Sequence, residues 1–368
     1  MIIGDRVELN LFTTLKCNLR CSYCTEADGG SLGTQGDVSY SIEQLKKFVK
    51  THADKKEIVV TFYGGEPTLN PGFIEDVIEA LPDARFQLQT NGTLMDNLSN
   101  DTLGKFSNIL ISVDGGEDAT DIYRGDGVYN QVTEAVESIR PYVDGTITAR
   151  MTWSGSNIEV KDFLDLTTTF DYVYWQFVQA HGFYSPEQVA QKKSVMAELV
   201  KLFFTSDKFI PLIPLMGIVR NKLFPHRAIE MYSGQTQCRA ATHLLNVTPD
   251  GGIYPCPDLT HDDSLRHGDI SSNTLGENMM KSTANMPCQD CEAYSYCRQN
   301  CLKNLHVAYT QNDMMFRANI TEPICELVKH LGKLVDSHNI EAWYGRQSSS
   351  IKQEILMCSV YEYVEIMP

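Results

Sequence analysis

The placement of its cysteines constrains this 368-residue chain more than any other sequence feature. Cys17, Cys21 and Cys24 stand together near the N-terminus, and more than two hundred residues then follow without a cysteine. Cys238, Cys256, Cys288, Cys291, Cys297, Cys301 and Cys325 crowd the last third, and Cys358 stands alone near the end. A fold for this chain must present a short thiol-bearing loop on a long cysteine-free body, then gather a second thiol-rich region. The N-terminus has no basic segment followed by an apolar one, which reads as a cytoplasmic protein. In that compartment thiols serve metals or catalysis more often than disulfides.

Composition removes several function classes. Acidic side chains number 47 against 31 basic ones, a net charge of −16, and no Lys/Arg cluster is available to neutralise a phosphate backbone, so nucleic acid is not an expected partner. No run approaches eighteen apolar residues, and the most apolar stretch, 209–219, carries two prolines, so no membrane span is expected. With 42% hydrophobic residues the chain can bury the core of one large or two ordinary domains.

The cysteine-free body alternates β-prone and helical patterns. Short apolar runs at 7–13, 58–63, 85–89, 109–113, 146–153 and 172–178 read as six strands. The interleaved helical patterns include one opened by the capping box Ser41-Ile42-Glu43-Gln44 and others at 71–81, 129–139 and 160–170. This rhythm predicts an α/β fold, a parallel sheet or partial (β/α)6 TIM-like barrel, with its chemistry where strands end and loops begin. One long helix is expected over 185–204 and a proline-broken connector over 210–225. From Cys238 turns such as Pro249-Asp250-Gly251-Gly252 replace the rhythm, and a closing helix over 322–334 carries Cys325. The domains expected are a barrel at 1–180, a helical bridge at 181–235, a small cysteine-rich domain at 236–330 and a C-terminal helical extension at 331–368.

The spacing Cys17-x3-Cys21-x2-Cys24 directly after a strand lets one short loop wrap three thiolates around a site. That suits a cubane iron-sulfur cluster with one iron left open. A zinc site or plain thiols are the alternatives, although a structural zinc would need a fourth ligand, and only the oxygens of Glu26 and Asp28 are close.

With Tyr23 before the third cysteine, this spacing resembles that of the radical S-adenosylmethionine enzymes. The resemblance extends to Gly64-Gly65-Glu66-Pro67 after the second strand, Thr90-Asn91-Gly92-Thr93 after the third and Ser112-Val113-Asp114-Gly115 after the fourth. It implies that a 4Fe-4S cluster binds S-adenosylmethionine. Gly64, Gly65 and Glu66 would receive the methionine amino group, Asn91 and Ser112 the ribose or methionine end, and Arg124 the carboxylate, where a planar guanidinium fits. Arg150 is a weaker candidate for that role, and the loop reaching His181 would cover the adenine.

The seven later cysteines are similar to the SPASM extension of peptide-modifying members, which holds two auxiliary 4Fe-4S clusters; two zinc ribbons are the physical alternative. Carried over residue by residue, Cys288, Cys291, Cys297 and Cys325 would hold an outer cluster. Cys238, Cys256 and Cys301 would hold an inner one that lacks a fourth thiolate, leaving an open iron, His243 or Cys358 to complete it.

The resemblance implies reductive cleavage of S-adenosylmethionine to a 5'-deoxyadenosyl radical and hydrogen abstraction from a peptide or protein substrate. A thioether or carbon-carbon crosslink in a ribosomally made peptide is the expected product. Formylglycine formation is an alternative, but the general base of those maturases directly follows the second cysteine of the extension, and here Pro257 intervenes before Asp258. Epimerisation with Cys358 as hydrogen donor is another, and a non-catalytic iron-sulfur electron carrier is the alternative outside enzymology. The expected partners are a flavodoxin- or ferredoxin-type electron donor and, because the first strand begins so near the N-terminus, either a separate protein or the acidic body of this one for any leader recognition.

Overall fold

The structure is a computed structural model that describes residues 6–24, 37–155, 157–225, 238–240, 243–276, 287–288, 290–299 and 301–357. Cys358, Glu26 and Asp28 lie outside the described residues. The chain divides into two compact units, each of non-contiguous segments: Met1–Val113, Thr120–Ala149 and Arg239–Lys281 form the first, and Asp114–Ala119, Arg150–Cys238 and Ser282–Pro368 the second.

The first unit is built on parallel strands β1 (Arg6–Thr14), β2 (Glu57–Gly64), β3 (Arg85–Thr90) and β4 (Phe106–Ser112), paired in that order. Every β1 residue from Val7 to Thr14 is buried, as expected of a parallel strand covered on both faces. Phe62 of β2 packs its ring 6.1 Å from both Phe86 and Phe106. Helix Ile42–His52 opens with the expected capping box, Ser41 accepting from the Gln44 amide while Gln44 reaches back.

Beyond the other edge of β1 lies β7 (Leu244–Val247), parallel to it and followed by antiparallel β8 (Gly252–Tyr254), β9 (Gly268–Asp269) and β10 (Thr274–Leu275). The stretch 236–330, expected as one cysteine-rich domain, is therefore divided: 239–281 continues the sheet of the first unit and 282–330 belongs to the second. The physical cause is the run Leu244-Leu245-Asn246-Val247, fully buried and tied to β1 by a 3.0 Å hydrogen bond from Asn10 Nδ2 to Asn246 Oδ1.

β5 (Thr146–Trp153) straddles the division, and its second half lies beside β6 (Tyr172–Phe177) in the second unit. There Trp153, Phe163, Trp175 and Phe177 form one aromatic core with ring separations of 5.0 to 6.0 Å. Helix Pro186–Thr205 matches the expected long helix, and it opens with a capping box of Ser185 with Gln188. The proline-broken connector instead contains an eleven-residue helix, Ile213–Leu223. Pro214 sits in its first turn, where a missing amide N–H costs nothing. The closing helix, Glu322–Asp336, runs through the expected boundary at 330. Among the described residues no helix is long and apolar enough to cross a membrane.

Candidate active site and thiol centres

In the first unit the loop carrying Cys17, Cys21 and Cys24 leaves the end of β1 and is clamped by the ends of β2 and β3. The backbone of β2 turns at Gly64, φ 130°, and the amides of Gly65 and Glu66 donate to the carbonyls of Thr14 (3.0 Å) and Lys16 (2.8 Å). A Cβ at Gly64 would lie 2.3 Å from Thr14 O, and one at Gly65 would lie 2.3 Å from Lys16 O. Within the chain, then, the glycine pair lets β2 approach the root of the cysteine loop.

Glu66 is fully buried, and its carboxylate is already engaged. Oε1 accepts from the Thr68 amide (3.1 Å), Thr68 Oγ1 (2.6 Å) and Thr90 Oγ1 (2.7 Å), and Oε2 accepts from the Asn91 amide at 2.7 Å. Burial pushes its pKa up and these four hydrogen bonds pull it back. The motifs after β2 and β3 are thus welded to each other. Asn91 carries the weld to the cysteines: its Nδ2 donates to Asn18 Oδ1 at 2.8 Å and lies 3.9 Å from Cys17 Sγ, while Asn18 Nδ2 donates to Thr93 Oγ1. Burial raises the Cys17 pKa, the Leu19 amide lowers it, and the charges of Glu66 and Cys24 raise it.

The far end of the loop is held separately. The Ser22 amide donates to the Tyr123 carbonyl, the Tyr23 ring lies 5.8 Å from that of Tyr123, and the buried Arg124 guanidinium stands 5.7 Å from the Tyr23 ring centre. The structure therefore brings Tyr23, Gly64, Gly65, Glu66, Asn91 and Arg124 onto the loop of the three cysteines. Ser112 ends β4 in the same unit. Thr68, Thr90 and Asn18 were missed in the sequence; for Thr90 the signal was available, since it opens the quoted Thr-Asn-Gly-Thr motif. His243, also in this unit, is buried, and burial with the nearby Arg239 charge lowers its pKa to about 4. Asp258 is half-buried in the short 3-10 turn Pro257–Leu259 that follows Cys256.

In the second unit Cys288, Cys291, Cys297 and Cys325 line one cavity, which Cys301 also reaches. Cys288 and Cys291 share a turn closed by the Cys291 amide on the Cys288 carbonyl, Cys297 ends the helical turn Tyr294–Cys297, and Cys325 lies in the first turn of Glu322–Asp336. Burial first, then the neighbouring Cys325 and Cys291, push the Cys288 pKa up to about 11. Crowded, half-buried thiols of this kind become thiolates most readily with a cation to share the charge. No disulfide joins the ten described cysteines.

The expected inner set is distributed, with Cys256 in the first unit and Cys238 and Cys301 in the second. Gln179, just past β6, places its Nε2 3.1 Å from Cys301 Sγ, a contact that sequence spacing gave no reason to expect. In the loop that follows, His181 is exposed, its ring 6.2 Å from that of Phe316. This loop is pinned by a wholly buried lysine: Lys192 Nζ donates to the carbonyls of Ser154 (3.0 Å), Gly155 (3.4 Å) and Phe183 (3.4 Å), and burial lowers its pKa to about 8. Arg150 is used within the unit, donating to Gln176 Oε1.

Residues 11–167 match the Radical SAM superfamily. The matched segment is a Radical SAM domain, and the chain is similar to enzymes that carry one. Its relatives include the mycofactocin maturase MftC of Mycobacterium tuberculosis (strain CDC 1551 / Oshkosh), 22% identical over 322 residues, with 78% of this chain and 76% of that protein covered. A cysteine-type anaerobic sulfatase-maturating enzyme of Clostridium novyi (strain NT) is 23% identical over 331 residues, covering 78% and 85%. The solved structure of native anSMEcpe with bound AdoMet and Cp18Cys peptide superposes with a TM-score of 0.69 at 18% identity, over 92% of this chain and 99% of that one. The α/β fold with its parallel strands is therefore shared well past the matched domain.

Proposed function

We propose that this enzyme modifies a peptide, using S-adenosylmethionine and three 4Fe-4S clusters, and that its product is a thioether or carbon-carbon crosslink. The observation that carries the reading is the weld in the first unit, where Glu66, Thr90, Asn91 and Asn18 join two strand-end motifs to the loop of Cys17. Cys17, Cys21 and Cys24 would hold the first cluster, with one iron left for the cofactor. When bound, this pair supplies reductive cleavage of S-adenosylmethionine and hydrogen abstraction from carbon. The chain supplies placement: Gly64 and Gly65 bring backbone to the cluster loop, and Arg124 offers a cation beside Tyr23 for the methionine carboxylate. Asn91 and Ser112 serve the ribose or methionine end, and the pinned loop with His181 covers the adenine.

Cys288, Cys291, Cys297 and Cys325 would hold the outer auxiliary cluster, and Cys238, Cys256 and Cys301 the inner one. An all-thiol donor set spread round a cavity suits a cubane, whose ligands attach at separate corners. A zinc ribbon needs its ligands converged on one ion, and among the described residues no three His, Cys, Asp or Glu side chains converge in that way. The electron donor would be of flavodoxin or ferredoxin type, and the location cytoplasmic.

Formylglycine formation is a second reading, favoured by the sulfatase-maturating relative. Asp258 would then be the general base.

The test is anaerobic reconstitution followed by incubation with S-adenosylmethionine and dithionite. The parent should release 5'-deoxyadenosine, and the triple variant Cys17→Ala, Cys21→Ala, Cys24→Ala should release none; equal release by both would defeat the reading. Incubation with a cysteine-containing sulfatase peptide separates the two products by mass, formylglycine formation indicating the second.

A further inference from the structure

Three neutral polar side chains line the same cavity as Cys288, Cys291, Cys297 and Cys325, and thiolate ligation does not account for them. Gln299, Asn304 and Thr321 each face this space, each is 3% exposed, and Gln299 Oε1, Asn304 Oδ1 and Thr321 Oγ1 are buried without a hydrogen-bond partner among the described residues. An unsatisfied buried polar atom opposes folding, and apolar residues of similar size would fill the space without that penalty.

The three arrive on separate segments, two of them of unusual backbone. Gln299 has φ 72° and follows Arg298 at φ 49°, a left-handed pair without glycine. Asn304 lies in the helical turn Leu302–Leu305. Thr321 ends the π-helical turn Arg317–Thr321, directly before the helix that carries Cys325. Left-handed non-glycine residues and π-turns are each conformations with a local cost. That two such segments and the turn of Asn304 deliver unpartnered polar side chains to one thiol-lined cavity points to a polar occupant.

We propose that Gln299, Asn304 and Thr321 donate hydrogen bonds to the sulfur atoms of the outer cluster and thereby raise its reduction potential. The proposal rests on the reading of the four cysteines as ligands of that cluster. A threonine hydroxyl rotates toward any acceptor, and half a turn of a terminal amide exchanges its oxygen and its NH2. An anionic, sulfur-rich occupant therefore draws the donors inward. Reduction adds one negative charge to the site, so the donors stabilise the reduced form more than the oxidised one. All three groups are neutral and none titrates near physiological pH, so the effect needs no proton uptake.

The experiment uses the full chain in the background Cys17→Ala, Cys21→Ala, Cys24→Ala, which removes the first cluster and leaves the auxiliary centres to be read alone. Thr321→Val, Asn304→Leu and Gln299→Met are introduced singly and together and reconstituted anaerobically. Iron and sulfide are then counted, and the centres are titrated with dithionite under EPR. The expected result is an unchanged iron count and a downward shift in the midpoint of one centre, largest in the combined variant, with Thr321→Ser restoring the parent value at that position. An unmoved midpoint with full iron overturns the proposal and leaves the ligand reading standing. Iron loss in Thr321→Val that Thr321→Ser does not reverse also overturns it, since the residue would then serve the fold. If Cys288→Ser with Cys291→Ser costs the background no iron, the ligand reading itself fails and the proposal falls with it.

Discussion

The loop of Cys17, Cys21 and Cys24 is held in place by neighbouring strand ends, with Glu66 accepting four hydrogen bonds and Asn91 reaching Asn18. The cavity of Cys288, Cys291, Cys297 and Cys325 is instead assembled from short turns, a left-handed residue pair and π-helical segments, and it buries polar atoms that the chain leaves unsatisfied. The first site is organised by the protein before anything binds. The second reaches a satisfied state only with its occupant, so there binding and folding share one free energy.

The strongest test of this contrast removes ligands from each site in turn. Cys288→Ser with Cys291→Ser should lose about four irons and, with them, on the order of 5 kcal/mol of stability. The triple alanine variant of the first loop should lose about as much iron with little change in the melting transition. Equal destabilisation in the two would erase the distinction.

A smaller effect is expected from Glu66→Gln, which replaces an acceptor of four hydrogen bonds by a group that can satisfy only some of them. The loss should be roughly 2–4 kcal/mol in urea unfolding, because donors such as the Asn91 amide are left buried without a partner. If the first loop is prearranged as described, the variant should also bind iron there more weakly while the second site keeps its full complement.

The smallest effect near neutral pH is acid sensitivity in the first unit. His243 is neutral when folded, with a pKa near 4 against 6.5 for the ordinary side chain. Above pH 6.5 neither state is charged and stability is unaffected. As pH falls below 6.5 the unfolded chain takes up a proton that the folded chain refuses until about pH 4, so stability declines by up to about 1.4 kcal/mol per pH unit across that window. His243→Gln should flatten this part of the profile, and an unaltered slope would place the acid-sensitive group elsewhere.

Much of the fold could be read directly. The period of the apolar runs located β1 to β6, and the capping box of Ser41 with Gln44 marked a helix start because its chemistry is local. The helix Ile213–Leu223 was obscured by Pro214, whose meaning depends on its position within the helix. Nor could the sequence show that Leu244–Val247 pairs with β1, since a four-residue apolar run carries no address.

The sequence by itself determined the class of chemistry: thiols at fixed local spacing, and motifs at strand ends whose order along the chain is covalent. Only the tertiary structure decided how those groups are used. Glu66 stands between Thr68, Thr90 and Asn91, and Gln299, Asn304 and Thr321 meet at one cavity. Spacing within a loop is set by bond geometry, whereas hydrogen bonds between distant segments and the cost of burying a polar atom exist only once the chain has folded.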